Sequence, residues 1–334
     1  MHELVPSGTT IDFIGKRRLC AALSIGLLLV SVAAGLVRGV NFGIDFEGGT
    51  EVQLRFSEAA PADEGAIRRV VSDCGIEDAT VVTFGSPREF LVKFGQPSEE
   101  LVTRLLRSEQ CPITASEREA VERLREDTDA SDVTGQVVAA LGHAISNGVS
   151  PVEIDRVEFV GPRVGAELRR DGLNALGIAT LLILVYVAFR FTTRFAPGAI
   201  LAVVHDIAIT AGIFVIFGLE FDLKVLAALL AIIGYSLNDT IIIYDRIREN
   251  MELRTKHDLV DVLNRSVNQT LSRTVLTSGT TMAAVLSLLF LGGEVVRPFA
   301  LAMTVGIVVG TYSSIFIAAP TLLWLEQRYA KKSA

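Results

Sequence analysis

Two apolar stretches of the sequence contain charged side chains that are suited to moving protons. Asp239 lies next to Asn238 in "GYSLNDTIIIYDRIREN", and Arg273 opens the run "RTVLTSGTTMAAVLSLLFLGG". A charged side chain near the centre of a bilayer costs about 2.5–3.5 kcal/mol on insertion scales, so such residues usually face the interior of a helix bundle and are functional. We therefore expect Asp239 to be functional, with Arg273 as its candidate partner and Asn238 beside it on a polar helix face, and we call these three residues the candidate pathway. The alternatives are a static ion pair and, for Arg273, a side chain that extends to the lipid headgroups.

Asp239 and Arg273 are expected at similar depths in the membrane. Asp239 lies 16 residues after Leu223, where its apolar run begins, and Arg273 lies 20 residues before Gly293. With a rise of about 1.5 Å per residue, the two are about 24 and 30 Å from the outer surface. The spacing therefore allows them to pair in the cytoplasmic half of the bilayer.

A second charged pair, His205 and Asp206, interrupts the apolar stretch "LAVVHDIAIT". Histidine titrates near neutral pH, so the pair is suited to a secondary proton relay. Hydrogen bonds between neighbouring helices are the alternative, and the sequence leaves both open. The sequence has no nucleophile–base set, metal-ligand cluster or nucleotide-binding loop, so we expect neither enzymatic activity nor a cofactor. The energy source is then expected to be an ion gradient, of H⁺ or Na⁺.

The composition is that of a membrane protein. Of the 334 residues 50% are hydrophobic, and the mean hydropathy is +0.45, which exceeds that of typical soluble domains. A helix needs about 20 apolar residues to span a bilayer. Six stretches meet this requirement: Leu19–Val37, Leu173–Phe191, Pro197–Gly218, Leu223–Tyr244, Arg273–Gly292 and Pro298–Leu325. We predict a polytopic α-helical membrane protein with six transmembrane helices.

Basic residues mark alternate loops of this arrangement: Lys16, Arg17 and Arg18, then Arg190 and Arg194, then Arg246, Arg248, Arg254, Lys256 and Arg265, and finally Arg328, Lys331 and Lys332. Short cytoplasmic loops carry an excess of Lys and Arg, so both termini are predicted to be cytoplasmic. A cleaved signal peptide is the alternative for the first span, but its apolar stretch is long for one. The net charge of −7 arises between the first two spans, and we expect no nucleic-acid partner.

Residues 39–165 are polar and show the pattern of a folded domain outside the membrane. Alternating segments predict four strands, with "SP" joining the middle two as a hairpin, and charged or capped segments predict the intervening helices. The order β-α-β-β-α-β predicts a small ferredoxin-like α+β periplasmic domain. Cys74 and Cys111 fall in this domain, where a disulfide and two unlinked thiols are equally compatible with the sequence.

The predicted division of the chain has five parts. These are a cytoplasmic N-terminus (1–18), the first transmembrane helix (19–38), the periplasmic domain (39–165), transmembrane helices two to six (166–325) and a cytoplasmic C-terminal tail (326–334). After the first helix, "NFGIDFEGGT" has no G-K-[ST] and so does not indicate a phosphate-binding loop. Its glycines are expected to let the backbone turn into the first strand.

Four stretches together resemble one family, the SecF subunits of the bacterial SecD–SecF protein-export complex. They are "NFGIDFEGGT", "VEFVGPRVGAELRRDGLNAL", "GYSLNDTIIIYDRIREN" and "LSRTVLTSGTT", and their order and spacing match the family over essentially the whole chain. The residues that match the family motifs, besides the candidate pathway, are Gly43, Asp45, Gly48, Gly49, Gly161, Pro162, Gly165, Ser272, Thr274 and Thr277. Glu47 departs from the family, which often has a small hydroxyl residue there.

The resemblance implies membership of the resistance–nodulation–division superfamily, a location in the bacterial inner membrane and a role in protein export. It implies a heterocomplex with SecD, association with the SecY translocon and membrane insertion factors, and contact with the translocating preprotein and the lipid bilayer. It also implies that Asp239 and Arg273 take part in proton passage driven by the proton-motive force. Half of a related proton-driven exporter of lipids or small molecules is the alternative function.

Overall fold

The computed structural model describes residues 9–57, 63–127, 133–190, 194–253 and 258–333, without the side chains of 124–127 and 329–333. Several residues named above lie outside the described residues: the first eight residues, Phe191 at the predicted end of the second span, and the basic residues Arg254 and Lys256. The chain divides into two compact units. Phe42–Asp171 form one, and the residues on either side of this segment form the other.

Six helical segments among the described residues are long and apolar enough to span a bilayer. All of them except the first ten residues of the second segment, Pro162–Asp171, lie in the unit on either side of Phe42–Asp171, which we call the membrane unit. They are α1 (Arg17–Arg38, preceded by a 3₁₀ turn over Ile14–Lys16), α7 (Pro162–Arg190), α8 (Ala196–Phe217), α9 (Leu223–Leu253), α10 (Leu259–Leu291) and a last span composed of α11 (Arg297–Ser313), a π-helical turn (Ser314–Ala318) and α12 (Ala319–Ser333). The six predicted spans are confirmed. Several helices continue beyond them, because hydropathy detects only the apolar part of a helix.

Helix α9 lies at the centre of this unit. It packs against α8, α10 and α11, while α1 packs against α8. The windows of α9 and the last span are the most buried, whereas α1, α7 and α10 expose most of their surface. Polar side chains on α9 are therefore held among neighbouring helices, and α10 has a large surface that these helices do not cover.

The segment before α1 is bound to the start of α10. The amide groups of Phe13 and Ile14 both donate to Asn264 Oδ1 at 2.9 Å. Asn268 exchanges two further hydrogen bonds with the backbone of Ile11, of 2.9 and 2.8 Å. These bonds join positions that are 250 to 257 residues apart in the sequence.

The second unit is built on a four-stranded antiparallel sheet. Its strands are β1 (Gly49–Phe56), β2 (Thr80–Phe84), β3 (Ser86–Phe94) and β4 (Val152–Val160), in the spatial order β2-β3-β1-β4. In the central strand β1, Val52, Leu54 and Phe56 alternate with more exposed residues and enter the core. The core is completed by apolar side chains of the helices that cover this face.

Two details of this unit differ from the sequence-based expectation. The hairpin between β2 and β3 turns at Gly85, whose φ of +69° favours glycine, and Ser86 and Pro87 already belong to β3. Three helices are described between β3 and β4, namely α4 (Glu99–Arg107), α5 (Ala115–Asp127) and α6 (Val133–Gly148), and α4 was not predicted. Because the β-α-β-β-α-β motif has one helix there, the ferredoxin-like assignment stays a prediction. The other helices before β4 are α2 (Ile44–Glu47) and α3 (Glu64–Asp73).

The helical side of this unit is held by a disulfide and a capped helix. Cys74 and Cys111 form a disulfide, which resolves the two alternatives that the sequence left open. At the start of α5, the side chain of Glu117 accepts hydrogen bonds from the hydroxyl and the backbone N–H of Thr114 and from Asn147. The Thr114 bonds hold the pKa of Glu117 below its usual range.

Candidate functional site

Asp239 lies where three membrane helices meet. It is 1% exposed, on the face of α9 that also buries Ser236 and Ile243, which are one helical turn away on either side. Its Oδ2 accepts a hydrogen bond of 3.4 Å from Ser278 on α10. The Ser278 hydroxyl also lies 2.8 Å from that of Thr311 on α11. A chain of two hydroxyl groups thus joins the carboxylate to both neighbouring helices.

The second oxygen of this carboxyl group, Oδ1, is buried and has no hydrogen-bond partner among the described residues. A buried charge without adequate partners is costly, and a carboxyl group in such surroundings can lower that cost by taking up a proton. Asp239 is therefore chemically suited to exchange a proton, which a fully hydrogen-bonded structural carboxylate is not.

The other two residues of the predicted pathway form no direct contact with this carboxylate. Arg273 is exposed, and its charge is near enough to act on Asp239, but the two form no direct ion pair within the described part of the chain. Ser278, five residues later, is rotated by about 140° around the α10 axis and takes the position beside Asp239. Asn238 is exposed as well, since its side chain leaves α9 about 100° from that of Asp239. The pairing of Asp239 with Arg273 that the spacing allows is thus not formed in this structure.

Asn238 belongs to an exposed stripe of small side chains on α9. Ala227, Ala231, Gly234 and Asn238 follow one another at intervals of three or four residues, and all four are exposed. We call these four residues the small-residue face. Small side chains let the backbones of two membrane helices approach closely, so this stripe has the character of a helix–helix contact surface.

The other α10 residues of the family motif are distributed over several faces. Thr274 is buried, and its Oγ1 has no hydrogen-bond partner among the described residues. Ser272 and Thr277 are half-buried. The carbonyl of Thr277 accepts bonds from the hydroxyls of Thr280 and Thr281, so these two side chains satisfy backbone groups within α10.

His205 and Asp206 form a second buried polar cluster. His205 Nδ1 lies 2.9 Å from Asp206 Oδ1. The other oxygen, Oδ2, accepts hydrogen bonds from Ser313 at 2.7 Å and from Ser236, the residue one turn before Asp239. Both oxygens of Asp206 therefore have partners, and the carboxylate joins α8 to α9 and α11.

Sequence reasoning did not identify the hydroxyl partners of the two acids. Ser278 lies in the quoted "RTVLTSGTT" stretch, but the candidate pathway included only the arginine of that stretch. Ser313 and Thr311 lie just before the π-helical turn of Ser314–Ala318, and π-helical turns frequently occur at functional sites. Hydroxyls inside apolar runs were the available signal, but their spacing does not indicate which helix they face.

The glycine motifs lie in the other unit and contact each other. Gly48 has a φ of +81°, and a Cβ atom added at Gly165 would lie 2.9 Å from the Gly48 backbone nitrogen and 3.2 Å from the Phe46 carbonyl. The remaining motif residues adjoin this contact: Gly43 precedes α2, Asp45 lies within it, Gly49 begins β1, Gly161 follows β4 and Pro162 begins α7. The expectation that these glycines turn the chain into β1 is confirmed.

Comparison with known proteins identifies the family. The sequence model for the C-terminal part of the protein export membrane proteins SecD/SecF matches residues 141–328, and that for the SecD/SecF GG motif matches residues 33–60. The protein translocase subunit SecF of Pseudomonas aeruginosa is 42% identical over 317 residues, which cover 95% of this chain and 92% of that protein. This chain belongs to the SecF family.

SecF-family sequence also occurs within longer chains. The protein translocase subunit SecDF of Thermus thermophilus is 41% identical over 332 residues, which cover 97% of this chain and 40% of that protein. The crystal structure of SecDF, a translocon-associated membrane protein from the same organism, matches with a TM-score of 0.75 and 38% identity, over 96% of this chain and 39% of that one. The family resemblance predicted from the four motifs, and the fold class of membrane helices with a small sheet, are confirmed.

Proposed function

We propose that this chain is an accessory subunit of the Sec protein translocase. Together with SecD, the subunit uses the proton-motive force to promote preprotein export across the bacterial inner membrane. Its relatives are named as translocase subunits, which supports this role over an exporter of lipids or small molecules. The proposed topology has both termini in the cytoplasm, with the sheet-containing unit in the periplasm acting on the emerging preprotein.

The partnership with SecD is supported by two observations. In Thermus thermophilus, SecF-like sequence is part of one longer chain named SecDF. The small-residue face of α9 and the Arg273 side chain on α10 are both exposed here. An arginine exposed to lipid along an apolar span is costly, so a partner that supplies polar or acidic groups to this side of α9 and α10 stabilises the complex. We propose that SecD covers this surface and that the SecY translocon and insertion factors bind elsewhere.

Asp239 is the proposed proton carrier, and its burial with one unpartnered oxygen is the observation that carries the proposal. Uptake of a proton removes an uncompensated charge from the junction of α9, α10 and α11, and release restores it. Two charge states that favour different packings of these helices form a two-state element that an ion gradient can bias. In this mechanism Arg273 and Asn238 act at the SecD side of the pathway, and H⁺ is the proposed coupling ion.

The cluster of His205 and Asp206 is the proposed secondary element. Its geometry favours a structural joint between α8, α9 and α11 over an independent relay, because both oxygens of Asp206 already accept hydrogen bonds or contact the imidazole. A carboxyl group with this number of partners contributes to specifying how the helices pack.

The proposed role of Asp239 can be tested with Asp239→Asn. The chain is reconstituted with SecD and the Sec translocase in vesicles, and preprotein uptake is measured with and without an imposed proton gradient. We expect the gradient-dependent part of the uptake to be lost and the ATP-driven part to remain, because asparagine keeps the size of the side chain but cannot exchange a proton.

Asp245→Asn is the matched control. Asp245 lies on the same helix and forms a 3.1 Å ion pair with Arg190, and both side chains are partly exposed. Such pairs contribute little to stability, so this variant is expected to respond to the gradient as the unmodified chain does. Full gradient dependence in Asp239→Asn contradicts the proposal. If an imposed Na⁺ gradient supports preprotein uptake and a proton gradient does not, sodium is the coupling ion instead.

A further inference from the structure

An apolar pocket lies between α1, α8 and the last span, away from the polar junction around Asp239. Its volume is about 520 Å³, in the range of sites that bind small molecules. Most of its wall is aliphatic or aromatic, with Ala21 and Leu28 from α1, Leu201 and Ala208 from α8, and Phe316 from the π-helical turn. The wall excludes an ion or a nucleotide as the occupant, because such ligands need polar partners throughout.

The length of the pocket matches one leaflet of a bilayer. Its lining on α1 extends from Arg17 to Leu28, a distance of about 17 Å at 1.5 Å per residue. Half of the hydrocarbon core of a bilayer is about 15 Å thick. An extended hydrocarbon chain is therefore the occupant that the shape fits.

The end of the pocket at the start of α1, here called the mouth, carries positive charge. Arg17 and Arg18 line it at one end, and Arg18 is exposed and has no acidic partner among the described residues. Trp324 lines the same end, and the guanidinium carbon of Arg328 lies 4.0 Å from the centre of its ring. Tryptophan and arginine at this level are typical of the membrane–water interface, and arginine is a strong bidentate partner of phosphate.

We propose that this pocket binds one anionic phospholipid of the bilayer. An acyl chain fills the space between α1, α8 and the last span, and the headgroup phosphate pairs with Arg17 and Arg18. The chain packs on the wall at His205, whose imidazole stacks with Tyr312 at 6.1 Å between ring centres. A bound lipid thereby stabilises the contact of α1 with α8, since α1 is otherwise the least buried span. This site does not depend on the proposed proton pathway.

The chain contains its own probe for this site. Trp324 is the only tryptophan of the sequence, so fluorescence reports on the mouth of the pocket alone. The full chain is reconstituted in phosphatidylcholine vesicles with a small fraction of a lipid brominated on its acyl chains, which quenches tryptophan on contact. The brominated lipid is either phosphatidylglycerol, which is anionic, or phosphatidylcholine, which is not. Both lipids carry a phosphate, but the choline of phosphatidylcholine cancels its charge, so only phosphatidylglycerol is attracted to the arginines by a net charge. At about fivefold per arginine, the apparent association constant obtained from quenching is expected to be at least fivefold higher for the anionic lipid.

Three variants and one control variant separate the two parts of the site. Arg18→Gln is expected to reduce the preference for the anionic lipid about fivefold. Ala21→Phe and Ala208→Phe fill the pocket from two different helices and are expected to remove the excess quenching. Ala22→Phe, at the adjacent exposed position of α1 outside the pocket, should keep it. Equal quenching of the unmodified chain by both lipids overturns the proposal without any variant, and so does an excess that survives both phenylalanine substitutions.

Discussion

The contact between the two glycine motifs allows a stability change to be calculated for Gly165→Ala. The new Cβ atom would lie 2.9 Å from Gly48 N and 3.2 Å from two Phe46 backbone atoms. Backbone atoms within a sheet-linked turn move less easily than side chains, so we take about 3 kcal/mol, the upper part of the range for overpacking. The better helix propensity of alanine returns about 1 kcal/mol. The unit of Phe42–Asp171 should therefore lose about 2 kcal/mol of unfolding free energy.

Hydrogen exchange of the β1 amides in the full-length protein measures this change directly. A loss of about 2 kcal/mol accelerates exchange through unfolding about thirtyfold. Gly161→Ala is the matched control in the same motif, because a Cβ atom there meets only Phe159 at 4.0 Å, and it is expected to change the rate less than about twofold. If Gly165→Ala exchanges at the rate of the control, the close approach of the two motifs does not constrain this unit.

Three further perturbations follow from contacts in the two units. Replacing Cys74 and Cys111 by alanine opens a link across 37 residues and should cost about 4 kcal/mol, measured as several-hundredfold faster exchange of the core amides; an unchanged rate refutes the stabilising role. Asp206→Asn removes a carboxylate that joins three helices and should lower the unfolding free energy of the membrane unit by about 2–4 kcal/mol, measured by thermal unfolding in detergent. Loss of transport without loss of stability would instead indicate a relay residue. The pKa of Glu117 in the folded chain lies below its unfolded value near 4.5. The ionised side chain therefore stabilises the fold above pH 4.5, and this stabilisation is lost as the pH falls through the folded pKa. Glu117→Gln should flatten the acid side of the stability–pH profile followed by circular dichroism, and an unchanged slope contradicts this.

The sequence predicts the positions of the spans because insertion into a membrane depends mainly on the length and the apolar composition of a segment. It also predicts the strands of the second unit, since alternation directly reflects which side chains enter a core. The turn at Gly85 was misassigned to the adjacent Ser-Pro pair, because proline is common in turns while the positive φ of Gly85 appears only in the folded chain. Helix α4 was missed although Ser98 caps it by accepting a bond from Leu101, a signal that the segment did carry.

The site itself was predicted only in part. Depth along a helix follows from the rise per residue, which is the basis for expecting Asp239 and Arg273 at similar heights. The direction in which a side chain points depends on how each helix is rotated in the bundle, which packing decides. This is why Ser278 rather than Arg273 contacts Asp239, and why the partners of Asp206 come from helices that are 30 and 107 residues away in sequence.

The binding of Ile11–Ile14 to Asn264 and Asn268 has a consequence for biosynthesis. The first span enters the membrane early, but the asparagines that bind the segment before it are translated about 250 residues later. At about 5–20 residues per second, the amide groups of this segment wait about 13 to 50 s for their partners. The nascent protein therefore completes its bundle by closing the beginning of the chain onto the fifth span, as a late step of assembly.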